Sequence, residues 1–126
     1  QDFLEVPSMM LENFVWQPEV LRRLSKHYET GDSLPEDDID ALSASRGALE
    51  GYARSRFISM ALFDLAVHGG PGPYEFEGEK HDTIDFYNVI TESLSKIPSV
   101  EGAFPAASWY HPMMGYAAGY YGYLRS

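Results

Sequence analysis

Cysteine is absent from the 126-residue chain, so no disulfide framework, thiolate metal site or thiol nucleophile is available. Long apolar runs are missing as well. Nothing approaches the roughly 20 residues needed to span a bilayer, and Gln1-Asp2-Phe3-Leu4-Glu5 is neither a signal nor a transit peptide. Basic charge is scarce, with 9 Lys and Arg against 19 Asp and Glu and a net charge of −10. Such a chain repels a phosphate backbone, which argues against nucleic acid as a partner. The chain opens on Gln1 rather than Met, which points to processing or truncation.

What is present is apolar and aromatic, at 44% and 14% of residues, enough to offset the entropy of ordering in a chain sized for one domain at most. Chemistry is left to carboxylate, imidazole, phenol and hydroxyl groups. The patterning is helical throughout, and no strand-like alternation competes with it. The spacing of Met9, Met10 and Phe14 predicts a helix over 8–16, with Pro7 tolerated at its start. Pro18 then opens a second helix bearing Val20, Leu21 and Leu24. Ser33 and Glu36 have capping-box spacing, which predicts a long helix running to about His68, with Gly47 and Gly51 as weak points. Gly69-Gly70-Pro71-Gly72-Pro73 and the acidic stretch after it read as loop. Asp82 is placed to cap a helix whose apolar stripe is Ile84, Phe86, Val89, Ile90, Leu94 and Ile97, ended by Pro98. The stretch from Pro98 to Pro112 is loop-like.

The final segment is the strongest local oddity. Gly115, Gly119 and Gly122 run beside Tyr116, Tyr120 and Tyr123 at a shared helical spacing, so a helix here carries a glycine stripe next to a tyrosine stripe. Three helical glycines cost about 3 kcal/mol, and two explanations stand open. Either the glycines admit a neighbouring backbone and the tyrosines pack at a rim, or the segment is a pliable loop presenting neutral phenols to a carbonyl or developing oxyanion.

By spacing alone the histidines offer little: no two of His27, His68, His81 and His111 stand four apart as a helix-borne metal pair requires. His27 and His68 read as partners for helix C-termini, and His81 as a solvated residue. Asp2, Glu5 and Glu12 read as acids around a helix start, with Glu5 and Glu12 near one face.

Two long segments nevertheless match a known pattern. Asp2-Phe3-Leu4-Glu5-Val6-Pro7-Ser8-Met9-Met10-Leu11-Glu12-Asn13-Phe14-Val15-Trp16 resembles the D-F-V-E-A-P-S-Q-M-L-E-N-W-V-W segment of the thimet oligopeptidase, neurolysin and oligopeptidase A family of zinc metallopeptidases. Ser25-Lys26-His27-Tyr28, Ser45-Arg46 and Ala61-Leu62-Phe63-Asp64-Leu65-Ala66-Val67-His68 are similar to later stretches of those enzymes. His111, Gly115-Tyr116 and Ala118-Gly119-Tyr120-Tyr121-Gly122-Tyr123-Leu124 resemble their H-x-x-G-G-Y-D-A-x-Y-Y-G-Y-L motif, with Met114 and Ala117 in place of a glycine and an aspartate. The likeness weakens only over about 69–107.

The resemblance implies an all-α fold, a helical fragment of a zincin-type oligopeptidase catalytic domain. It divides the single partial domain 1–126 into a zinc-ligand helix with following helices (1–68), a loop (69–80), a helix (81–97) and a Gly/Tyr substrate loop and helix (98–126). It implies that Glu5 is the third zinc ligand, that Tyr116 and Tyr123 contact the transition state, and that His111 and Tyr120 position substrate. The two zinc-binding histidines and the general base of the family's H-E-x-x-H helix are not in this sequence. The resemblance therefore implies a part of a zinc oligopeptidase acting on short peptides, inactive alone and completed by an upstream segment or another subunit. It further implies a cytoplasmic location, with mitochondrion or plastid as the alternative. The rival reading is a non-catalytic remnant of the fold serving as a helical structural or interaction subunit.

Overall fold

The computed structural model describes residues 3–125, so Asp2, the first of the three acids at the expected helix start, lies outside the described residues. The fold is mostly helical, as expected, with one small two-stranded sheet. It divides into two compact units, one holding the described residues up to Glu50 and the other spanning Gly51–Arg125.

In the first unit, α1 (Val6–Val15) and α2 (Pro18–Leu24) break at Gln17-Pro18, where the proline's fixed φ and missing N–H suit the first turn of a new helix. α3 (Glu36–Ser45) follows and packs against α2, with Ile39 fully buried on α3 and Leu21 buried on α2. The predicted capping box does not form. Ser33 Oγ donates instead to the Arg22 carbonyl at 3.0 Å, and Glu36 takes a two-pronged bond from the Arg22 guanidinium, 2.7 Å on each prong. Partners from α2 outcompete the local exchange, because a bidentate charged pair is stronger than a neutral cap bond. The predicted long helix is also broken: α3 ends at Ser45, a turn follows, and α4 runs over Glu50–Gly69. Gly47, foreseen as a weak point, lies in that turn.

In the second unit, α4 packs Phe63 against Phe86, Tyr87 and Ile90 of α5 (Thr83–Ser95). Side chains of this size contribute about 1.5–3 kcal/mol each when fully buried. Asp82 caps α5 as expected, its carboxylate accepting from the amides of Ile84 and Asp85 at 2.9 Å each. The helix ends at Ser95 rather than at Pro98, because Lys96 turns left-handed with φ 59.

The segment 69–80, predicted as plain loop, contains all of a hairpin but its last residue, His81. β1 (Tyr74–Phe76) pairs antiparallel with β2 (Glu79–His81), Phe76 opposite Glu79. The connecting Glu77 and Gly78 both have positive φ, 51 and 87, the mirror-image turn that matches strand twist and favours glycine. Tyr74 and Phe76 lie against Phe86, which gives strands this short a reason to persist. His81, expected to be solvated, is half-buried in β2. Short helices α6 (Pro105–Ser108) and α7 (Gly122–Arg125), with a 3-10 turn at His111–Met113 between them, complete the unit. The predicted Gly/Tyr helix is thus reduced to its last four residues.

Candidate functional site

Glu5 stands in the unit that ends at Glu50, whereas His111, Tyr116, Tyr120 and Tyr123 stand in Gly51–Arg125. Each group is described in its own unit.

Glu5 is the residue before α1, helical in its own backbone (φ −95, ψ −4), and its carbonyl accepts the first helical bond from the Met9 amide at 2.9 Å. Its half-exposed carboxylate is oriented by Ser8, whose Oγ lies 2.7 Å from Oε2 and 2.9 Å from the Glu5 carbonyl. A carboxylate steadied by a neighbouring hydroxyl and open on its other oxygen has the chemistry of a single metal ligand with its outer support. Among the described residues, no group of three or more His, Asp or Glu side chains is placed to hold a metal ion. Glu5 thus has the chemistry of one ligand, with no such group around it among the described residues.

The second group is a cluster of rings. Tyr123 Oη lies 3.2 Å from His111 Nε2. With the imidazole protonated on Nε2, His111 is the donor and Tyr123 Oη the acceptor. Around that imidazole, the Tyr116 ring centroid is 4.8 Å away and the Tyr120 ring meets it edge-on at 5.4 Å. Phe57 of α4 stacks on Tyr120 and Tyr123, both at 6.1 Å, and Trp109 meets Tyr120 edge-on at 4.9 Å. The structure thus gathers all four expected loop residues. They are not equally placed: His111, Tyr116 and Tyr123 are half-buried, whereas Tyr120 is buried, with its hydroxyl turned to Met60 Sδ at 3.5 Å. Burial pushes the Tyr120 phenol above its ordinary pKa, so it stays neutral at physiological pH.

The backbone explains why this segment is not a helix. Gly115 has φ 89 and Ala118 φ 53, left-handed conformations that interrupt any helix. A Cβ on Gly115 meets nothing within 4 Å, so that glycine serves its turn rather than a close neighbour.

One residue of the site was not singled out as a functional candidate. Asp64 of α4 is fully buried, and its carboxylate accepts the amide N–H groups of Ala118 and Tyr120, each at 3.0 Å, 54 and 56 residues along the chain. His68, in the last turn of α4, approaches the same carboxylate with Nδ1 at 2.9 Å. The sequence signal was an aspartate on the apolar side of α4, four residues before a histidine. His68 thus serves Asp64 as well as the end of its helix. His27 lies beyond the end of α2, its Nδ1 accepting amides of Glu29 and Thr30 at 3.4 Å.

Clefts of about 660 and 670 Å³ open beside the hairpin and α5 and within the segment 25–35. Neither is lined by the five expected site residues. Among the described residues, no helix is long and apolar enough to cross a membrane.

The chain is 36% identical over 98% of its length to oligopeptidase A of Salmonella typhimurium. It is 35% identical over its whole length to a thimet-like oligopeptidase of Dictyostelium discoideum, and 32% over 98% to a mitochondrial intermediate peptidase of Aspergillus clavatus. It spans 18%, 18% and 16% of those relatives, less than a fifth of each. The model of peptidase family M3 matches residues 1–126, the full length of the sequence, and the chain belongs to that family.

Proposed function

We propose that this chain forms part of a zinc-dependent oligopeptidase that hydrolyses short peptides, supplying one zinc ligand and the phenol-bearing substrate loop. The observation that carries the reading is the Tyr123–His111 bond at 3.2 Å with Tyr116 beside it, set in a chain matched end to end by a peptidase family. Glu5 is the residue that would hold zinc, steadied by Ser8. Bound zinc supplies Lewis acidity toward a carbonyl and a water acidic enough to act as nucleophile. The chain's own residues do the rest. Tyr123, oriented by His111, and Tyr116 donate hydrogen bonds where negative charge develops on the scissile carbonyl, and being neutral they carry no charge to be repelled or neutralised. His111 fixes the direction of the Tyr123 hydroxyl and, with Tyr120, positions the peptide. Tyr120 serves that role from beneath, through its ring edge against His111, since its hydroxyl is engaged with Met60.

The two histidines and the general base come from a segment bearing H-E-x-x-H, in the same polypeptide or in another subunit. The exposed apolar residues Met10, Leu11, Phe14 and Val15 of α1 support such a neighbour, because a stripe of this size is ordinarily covered. We place the protein in the cytoplasm, with mitochondrion or plastid as the alternative, the mitochondrion being the compartment in the name of one relative. A quenched short peptide tests the reading. The 126-residue chain by itself leaves it uncut, and the polypeptide completed with the H-E-x-x-H segment cuts it only with zinc. Cleavage by the isolated chain, or none by the completed one, sinks the proposal.

The second reading, a non-catalytic remnant serving as a helical subunit, draws on the burial of Tyr120. A completed, zinc-loaded polypeptide that binds peptide without cutting it selects that reading.

A further inference from the structure

We propose that Asp64 is the positioning residue of the phenol loop: its buried carboxylate, bonded to the Ala118 and Tyr120 amides, sets the turn that groups Tyr116, Tyr120 and Tyr123 round His111. The proposal rests on the peptidase reading for its effect on the reaction, and on the geometry for the anchor itself.

A carboxylate with no exposed surface is costly in a helical core unless its lone pairs are filled. The three donors found for it are two loop amides and the His68 imidazole. Its two oxygens divide the work. Oδ1 takes the Ala118 amide and His68, and Oδ2 takes the Tyr120 amide. The bonded amides bracket Gly119, and Ala118 sits at φ 53, a conformation an alanine avoids unless something holds it. Convergence of turn amides on one anion is what holds it. On the N-terminal side of this turn lies Tyr116, and after it come Tyr120 and Tyr123. Moving the turn therefore moves the phenols relative to one another, while Glu5, in the other unit, keeps its own support from Ser8. Asp64 touches neither substrate nor zinc in this scheme and acts only through the loop.

The test is Asp64→Asn in the completed polypeptide. The amide keeps the size but has one acceptor oxygen for two loop amides, and turns N–H groups toward the other. Hydrogen exchange at the Ala118 and Tyr120 amides is expected to quicken by about tenfold. The kcat is expected to fall by about 10- to 100-fold with zinc content unchanged, and KM to stay within about twofold, since the lost interaction belongs to the transition state. Unchanged exchange overturns the anchor, and quicker exchange with wild-type kcat overturns the positioning role. Should Asp64→Asn fail to fold, Ala118→Val on the half-buried loop decides. A β-branched residue is an outlier at positive φ, so it is expected to give the same kcat loss, whereas Ala118→Gly keeps wild-type turnover. Wild-type turnover in the Val variant overturns the proposal. A wild-type protein that cuts no peptide sinks the peptidase reading instead, and the exchange rates then decide the anchor by themselves.

Discussion

Glu5 and the phenol cluster are held in opposite ways. The Glu5 carboxylate leans on Ser8, three residues along the same helix start, and nothing in that support depends on distant folding. The phenols lean on Asp64 across 54 and 56 residues and on Met60 across 60. On the proposed function the difference is expected, since a metal ligand tolerates a local mount because the ion itself completes the geometry when several ligands converge. Groups that meet developing charge have no such partner to draw them in, and their positions must be built beforehand by the fold.

That contrast is broken most sharply by Glu5→Gln. The amide keeps the shape and the Ser8 contact but loses the charge. Zinc affinity of the completed polypeptide, measured by competition with a chelator, is expected to fall by more than about 100-fold, beyond the usual cost of losing an outer-sphere partner. Exchange protection at Ala118 and Tyr120 is expected to stay unchanged. Wild-type zinc affinity in this variant removes Glu5 from the metal site.

Tyr123→Phe is the converse. It deletes the hydroxyl that meets His111 and leaves the ring stacked on Phe57. Turnover is expected to fall by about 100-fold, the scale of losing one preorganised donor, with zinc affinity as in wild type. If turnover holds, the phenol is a packing group and the non-catalytic reading gains.

What the sequence disclosed follows the same division. The α1–α2 break at Pro18 and the Asp82 cap were legible because their causes sit within a few residues. The capping box at Ser33 and Glu36 was misread because Arg22, from another helix, competes for both. The Gly/Tyr segment has true helical spacing, yet Gly115 and Ala118 adopt left-handed φ, and for Ala118 the cause lies on α4 at Asp64. The hairpin escaped because three-residue strands carry too little alternation, and of the turn pair only Gly78, not Glu77, is a residue that a mirror-image turn favours. For the site, spacing left Glu5 as a helix-start acid and the tyrosines ambiguous, and family resemblance alone picked them out. Asp64 lay inside a quoted motif, but its part depends on a contact that no local pattern encodes.

Asp82→Ala crosses the comparison from one side, since Asp82 is a local mount within the loop's own unit. The melting transition is expected to show a loss of about 1 kcal/mol, the usual worth of an N-cap, with turnover per folded molecule unchanged. A drop in turnover beyond the folded fraction means that α5 feeds into the phenol geometry, and that the separation between local and distant supports is too clean.

Glu36→Gln crosses it from the other side with the smallest effect, because the Arg22–Glu36 pair is a longer-range contact, 14 residues apart, in the unit of Glu5. Its hydrogen bonds with the Arg22 guanidinium hold the Glu36 carboxyl below the ordinary glutamate range of about 4.3. A folded-state value below the unfolded one stabilises the fold above the unfolded value, and that gain is lost as pH falls through the folded value. Arginine stays charged throughout, so the only window is acidic. Exposure and salt keep the term small. The wild-type melting temperature is therefore expected to fall slightly more steeply than that of Glu36→Gln as the pH drops below about 4.3, with zinc affinity equal in both at neutral pH. Parallel pH profiles remove the pair from the stability of that unit. A change in zinc affinity ties Glu5 to a contact well beyond Ser8, and its mount is then no longer local.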